Sequence, residues 1–522
     1  RSCNTLISQY NHIDHYINPL MFIITLLLLL LTPITGCVYS DTCVSEGLLG
    51  VCVSLSSGCC THGHVTDGLC PGSEDIKCCT ESVCVAPEGE GECMQVSACP
   101  YESYSGYCTG PTELQCCVNS SNNTDVEFGD SPYYYDHWCN AEAYALPYLD
   151  DKYCAKKFPS VYDREWSCPV VYDDSQLEGF TTDIDLSAVD VDTDILSSIV
   201  SEEEANICII VTRRVNSVVH NKYFCNGKDS TSVPFETWSS SKIFAMANAG
   251  GHLREQCFDA GLDASTTGNH GKTPLGDLAT VVCSYDTTMG YSSNGLSSYF
   301  NDVGGRQREL YIATDWIGEP NNSLGGNYGE STPSDLGFTM TCSDGETCPL
   351  NPDSGPAYYN SLSSLSAAEL TRRLVLHRDM EEQYKFPNLT WTDAQTIMYG
   401  ADSTELFPSV QWGGMTTDPS IYVQSSLNIS AVQEQSAGQW RVFSKLGAGY
   451  STSRQRGEII NNAYACLPLL DENEAPIVNA GLEFTLSVRG SVPYDTTLSK
   501  AEDRVYNAVS KTLAALVDGK LV

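Results

Sequence analysis

Ser239 and Lys242 stand three positions apart in PFETWSSSKIFAMANAGGHLREQC, where the residues begin to take on a helical spacing. Residues i and i+3 are neighbours on a helix, so the lysine falls one turn beyond the serine on the same face. A serine hydroxyl is a weak nucleophile until a base within reach takes its proton, and a desolvated lysine can serve as that base. A helix N-terminus adds backbone N–H groups aimed at the charge that develops in acyl transfer. Two more chemistry-bearing elements follow in order: Ser292-Ser293-Asn294, at the head of another amphipathic segment, and Lys445-Leu446-Gly447, inside GQWRVFSKLGAGYSTSRQRGEI. Ser-x-x-Lys alone is a weak signal; the three elements together are a strong one.

The elements that must position these residues are legible as patterns. ANICIIVTRRVNSVVHNKYFC, residues 205–225, reads as two β-branched strands joined by a polar turn. Phe244, Ala247 and Leu253 are the expected core positions of the helix that follows Ser239. The Lys445 segment reads as a strand. Near the C-terminus, APIVNAGLEFTLSVRG and SKAEDRVYNAVSKTLAAL read as a last strand and a closing helix.

Order and spacing of the three elements resemble the signature of class A β-lactamases and penicillin-binding proteins. TPLGDLATVVCSYDTTMGYSSN is similar to the helix leading into their second motif, and Gly304-Gly305, Trp440 and Arg456-Gly457 also match, so the resemblance covers about residues 180–518. It implies an α/β (α+β) fold of the β-lactamase/transpeptidase type: a five-stranded antiparallel sheet with flanking helices and an all-helical subdomain. It further implies that Ser239 attacks a carbonyl, while Lys242 and Ser292 handle its proton and the leaving amine. Asn294 would bind the substrate amide, Lys445 would supply positive charge, and the N–H groups of Ser239 and Ala448, beside Gly447, would form the oxyanion hole. Hydrolysis of the acyl-enzyme calls for a loop carboxylate, with Glu330 in GGNYGEST as candidate and Glu319 as alternative. Family members usually carry Thr or Ser where Leu446 stands, and Leu donates no hydrogen bond. Arg456, with its bidentate fork, is the candidate replacement as a carboxylate anchor; otherwise the substrate lacks that carboxylate or catalysis is lost.

The N-terminal part is a different kind of chain. Cys43, Cys52, Cys59, Cys70, Cys78 and Cys79 are repeated as Cys84, Cys93, Cys99, Cys108, Cys116 and Cys117, each series ending in a double cysteine. This is a tandem duplication. Each unit has few large aliphatics, so disulfides must supply what burial cannot, and zinc is the less favoured reading. The units resemble small modules attached to secreted eukaryotic bacteriolytic enzymes, with cell-wall carbohydrate as a candidate ligand and a bare spacer as the alternative. The expected organisation is 1–36 upstream extension and signal peptide, 37–80 and 81–118 cysteine-rich modules, 119–160 linker, and 161–522 hydrolase domain. The apolar run 22–32 has signal-peptide length and is too short to span a bilayer. Cys37 also ends a lipobox-like ITGC, but lipidating it would leave an odd cysteine. With sequons at Asn119, Asn122, Asn321, Asn388 and Asn428, the expected location is extracellular.

A net charge of −38 without a Lys/Arg cluster excludes a nucleic-acid backbone as partner. The acidic run 183–194 lacks the glycine and terminal glutamate of an EF-hand loop, so no metal or other cofactor is expected. His220, His252, His270 and His377 hold no motif spacing and are expected at the surface. Cys257, Cys283, Cys342, Cys348 and Cys466 are expected to be structural bridges. The functional expectation is a secreted serine hydrolase acting on a β-lactam or a peptidoglycan-type amide. Its alternatives are an inactive binding protein on the same scaffold and an esterase of the same superfamily.

Overall fold

The computed structural model describes residues 42–45, 48–54, 64–71, 73, 75–80, 84–86, 89–95, 102–104 and 114–118, then 158–521 except 183, 258–259, 263–266, 269–272, 286–288, 343–344, 351–357, 402–413 and 417–421. The apolar run 22–32, Cys37, Cys60, His270 and most of the 119–160 stretch lie outside the described residues. The chain forms two compact units, Arg1–Val126 and Glu127–Val522.

In the first unit the duplication seen in the cysteines recurs in the backbone. β1 (Thr42–Ser45), β2 (Leu48–Ser54), β3 (His64–Thr66) and β4 (Ile76–Thr80) pair in the order β1-β2-β4-β3. β5 (Cys84–Ala86), β6 (Gly89–Gln95), β7 (Glu102–Tyr104) and β8 (Leu114–Val118) pair as β5-β6-β8-β7, the same order again. Cys52 faces Cys78 and Cys93 faces Cys116, so equivalent cysteines hold equivalent register positions. The first sheet buries Cys43, Cys52 and Cys78, with Ile76 packed against them, and is bridged Cys43–Cys78 and Cys52–Cys70. Sulfur fills the place of an aliphatic core, and the crosslinks restrict the unfolded chain instead.

The second unit is built on one sheet: β9 (Val191–Asp192), β10 (Asn206–Val215), β11 (Val218–Cys225), β12 (Arg441–Ser451), β13 (Arg456–Leu467) and β14 (Leu482–Pro493), in the order β12-β13-β14-β10-β11-β9. The five longer strands are antiparallel, and two-residue β9 adds a sixth, parallel to β11. The 205–225 segment is the expected hairpin, turning at Asn216 and Ser217 with φ 51° and 65°, the left-handed pair that a tight hairpin requires.

The helices that matter are α1 (Lys242–Gln256), α2 (Leu275–Ser284), α3 (Ser293–Gly304), α4 (Arg306–Tyr311), α5 (Ser364–Val375), α6 (Trp391–Tyr399) and α7 (Leu498–Val517). α7 lays Leu498, Ala501 and Val505 over Gly457 and Gly490 on one face of the sheet. α5 covers the opposite face, where Arg372 reaches Asn221 of β11. α1, α2, α3, α4 and α6 pack mainly on one another as a helical layer. Phe244, Ala247 and Leu253 are all buried in it, as their spacing predicts. Among the described residues no helix is long and apolar enough to cross a membrane.

Disulfides join Cys168 to Cys466, Cys208 to Cys225 and Cys257 to Cys348. Cys283 and Cys342 lie buried outside these bridges, which corrects the expectation that all five of the later cysteines are crosslinked. A second correction concerns His377, which is 3% exposed rather than a surface residue. It sits in the short turn His377–Asp379, too brief to carry a periodic signal. Burial, reinforced by Lys385, pushes its imidazole down to about 4, and Nε2 has no partner among the described residues. A depressed folded value means the unfolded chain binds the proton first. Stability from this group is therefore complete above pH ~6.5 and is lost as pH falls toward 4, by ~3 kcal/mol if the shift is fully expressed. Denaturant titrations at a series of pH values should show that loss, and His377→Gln should flatten the slope across the same window.

Candidate active site

Ser239 lies in the turn Trp238–Ser241, a tight helical segment that runs directly into α1 at Lys242. It is half-buried, and among the described residues its hydroxyl has no hydrogen-bond partner. Strand β12 runs alongside. A Cβ on Gly447 would lie 2.6 Å from Ser240 N and 3.0 Å from Ser239 N, and closer still to Thr237 O. Only glycine lets the two backbones approach so nearly. Strand periodicity then puts Lys445, Gly447 and Gly449 on the face that meets the turn. Asn462, opposite Lys445 on β13, fastens the turn from the neighbouring strand by donating to Ser240 O at 3.3 Å.

Lys242 is fully buried. Its Nζ donates to Ser293 Oγ at 2.9 Å and to Asn294 Oδ1 at 2.6 Å, so the first two sequence elements meet. The third joins through a residue the sequence did not single out. Lys445 Nζ donates to the Tyr285 hydroxyl at 2.7 Å, and the Tyr285 ring lies 4.5 Å from Lys445 Nζ and 5.4 Å from Lys242 Nζ. One aromatic ring thus faces both buried lysine Nζ atoms. Tyr285 ends α2 in the left-handed conformation, φ 56°. A tyrosine at a helix C-terminus, followed by a loop, carries no spacing that a motif search could use.

Ser292 is placed differently from the expected role. It is exposed and is the N-cap of α3, accepting from Gly295 N at 2.9 Å and donating to a Glu330 carboxylate oxygen. Asn294 Nδ2 donates to the other Glu330 oxygen at 3.3 Å, and Ser298 Oγ to the Glu330 carbonyl at 2.7 Å. Glu330 therefore stands at the second element, while Glu319 makes its backbone bond to Thr314, at the end of the helical segment after α4. From the Glu330 loop Tyr328 approaches Lys242: its ring centroid is 5.6 Å from Lys242 Nζ and its hydroxyl 3.1 Å from Ser241 Oγ. Burial holds that phenol well above its ordinary value, and the nearby Glu309 carboxyl raises it further. Glu309 itself is pushed up to about 8 by burial, so it is neutral at pH 7, and neither of its oxygens has a partner among the described residues.

Leu446 points away from this face and is 1% exposed. Ala448, half-buried, is next along β12 after Gly447. Arg456 is engaged on β14, its Nε donating to Ser491 Oγ at 2.8 Å and Nη2 to Ser491 O at 3.0 Å, two strands from β12. The structure does not bring it to Ser239.

No family model matches the chain, and no curated protein matches it in sequence. Among solved structures it is similar to a β-lactamase from Burkholderia vietnamiensis, at 11% identity, covering 62% of this chain and 96% of that one with a TM-score of 0.35. It is similar also to a class A β-lactamase from Bacteroides cellulosilyticus (12%, 62% and 96%, TM-score 0.33). A third such structure is the β-lactamase of Francisella tularensis (10%, 63% and 99%, TM-score 0.33).

The geometry sets two hydroxyls apart: Tyr285 is bonded to Lys445, and Ser292 caps α3. Tyr285→Phe should slow acylation of Ser239 by tenfold or more, because it removes the hydroxyl held by Lys445. Ser292→Ala should mainly lower stability, by ~1 kcal/mol for the lost N-cap, with a smaller effect on the rate. Stopped-flow acylation and thermal melts of the two variants check both.

Proposed function

We propose that the second unit is an acyl-serine hydrolase of the β-lactamase/DD-peptidase type, with Ser239 as nucleophile. The observation that supports this most is the convergence of Lys242, Lys445 and the N–H groups of the Ser239 turn on one side of β12, with Gly447 holding the approach close. Ser239 Oγ attacks the substrate carbonyl carbon, and Lys242, withdrawn from water by burial, accepts its proton. The oxyanion that forms takes hydrogen bonds from the N–H groups of Ser239 and Ala448. Collapse of the tetrahedral centre breaks the carbonyl–nitrogen bond, and the leaving nitrogen takes the proton that Lys242 had accepted, which returns the lysine to its starting state, with the Tyr285 hydroxyl, held by Lys445, beside the path. Water then attacks the ester with Glu330 accepting its proton; the acyl–oxygen bond breaks, that proton passes to Ser239 Oγ, and the acid leaves with Ser239 and Glu330 restored. With its cysteine bridges and sequons, the protein acts outside the cell.

One observation favours a second reading within the same chemistry. Leu446 is buried and Arg456 is occupied by Ser491, so neither offers a carboxylate anchor beside Gly447. That arrangement suits an ester or amide without a carboxylate beside the scissile bond.

Labelling by a fluorescent penicillin, with Ser239→Ala as control and intact mass followed over time, tests the proposal. Label on the wild type alone that then decays is the expected result. Label that persists indicates a penicillin-binding protein without a working hydrolytic base. No label, together with turnover of a chromogenic ester that Ser239→Ala abolishes, moves the assignment to the esterase; loss of both reactions refutes the hydrolase.

A further inference from the structure

We propose that Glu458 is a positioning residue for the oxyanion pocket, acting through the indole of Trp238; the proposal rests on the acyl-serine reading above. Trp238, immediately before the nucleophile, has φ 49°. A bulky residue rarely adopts this left-handed conformation, and it persists only where the surroundings impose it. The peptide that carries the Ser239 N–H follows directly, so whatever holds Trp238 also aims that donor.

The restraint is visible on two strands. The indole lies flat on Gly449: a Cβ there would come within 2.7 Å of Trp238 Cδ2 and closer to Cε3 and Cζ3. Gly449 is paired directly with Glu458 across β12 and β13. Trp238 Nε1 donates to Glu458 Oε2 at 3.3 Å. The ring is thus seated on one member of a cross-strand pair and tied to the other.

Glu458 is itself immobilised. It is 0% exposed, and its oxygens accept from Arg454 Nη1 at 2.9 Å and from Arg489 Nη2 at 2.6 Å and Nε at 3.1 Å, with Arg454 Nη2 also bonded. Arg454 further bonds Glu236 at 2.9 Å, two residues before Trp238, so the same guanidinium holds the start of the turn. A buried carboxylate between two arginines is a weak stabiliser against an apolar alternative. It is, however, a rigid acceptor, which suits it to fixing an indole in a strained turn. The tie runs to the frame behind the turn and acts on the aim of the Ser239 N–H. Loss of the tie should therefore lower the rate of bond formation without weakening the preceding complex.

Trp238→Phe keeps an aromatic ring on Gly449 and deletes the N–H. Glu458→Gln removes the charge that both arginines hold. Acylation by a fluorescent penicillin over a range of concentrations separates the dissociation constant of the first complex from the acylation rate constant. Each single variant should lower the rate constant about tenfold, the value of one hydrogen bond to a charged group, with the dissociation constant within about twofold of wild type. The double variant should be no slower than Glu458→Gln, since the two act through one link. Wild-type rate constants in Trp238→Phe, or single effects that multiply in the double variant, overturn the proposal. If Glu458→Gln does not fold, Trp238→Phe decides alone. A folded wild type that neither the penicillin nor an activated ester acylates at Ser239 overturns the hydrolase reading and this proposal together, whereas acylated wild type with unchanged Trp238→Phe overturns this one only.

Discussion

The close passage of strand β12 along the Ser239 turn is the constraint on which the site depends. Gly447 leaves no room for a side chain between the strand and the backbone of residues 237–240. Everything else is registered to that approach. Lys445, one strand repeat earlier on the same face, meets Tyr285; Gly449, one repeat later, receives the Trp238 ring. Were the strand displaced by the width of a methyl group, both partners would be lost at once, because a strand moves as a unit and its side chains keep their period. The sheet makes displacement costly: β12 is paired with β13 along its whole length, and β13 in turn with β14, which α7 backs.

Charge in the site is arranged with the same economy of elements. Two lysines are fully buried, and two tyrosine rings face them. Glu330 stands on the exposed side, held by Ser292 and Asn294. Buried ion pairs are placed elsewhere, as in the Arg454–Glu458–Arg489 group and the pairing of Glu369 with Arg372 and Arg373. Carboxylate–arginine groups thus fix the frame around the turn.

What the sequence disclosed and what it withheld follow from the range of the interactions involved. Ser239, Lys242 and Lys445 are set by local periodicity, three along a helix and two along a strand, and the structure brings them to one face. The cysteine repeat was equally legible, and the backbone repeats it: Cys52 faces Cys78 as Cys93 faces Cys116. Tyr285 and Tyr328 were not legible. Both reach the lysines from outside the motifs, where side-chain direction depends on the packing of α2 and α3 rather than on spacing. Ser292 shows the converse. Its type and position fit the motif, yet as the N-cap of α3 its hydroxyl is turned to Gly295 N and Glu330. Glu458 lies in a strand that reads as ordinary β-sheet, and only the pairing with Gly449 reveals what it faces.

The central claim is that Ser239 and the adjoining N–H of Ala448 form one acyl-transfer site. A crystal structure of the protein soaked with a phenylboronic acid tests it most directly, since boron adds to an activated serine as a carbonyl carbon would. The account predicts a covalent bond from Ser239 Oγ to boron, with one boronate oxygen within about 3 Å of both Ser239 N and Ala448 N. An unmodified Ser239 with the acid attached to another serine, or an adduct whose oxygens point away from β12, would contradict it.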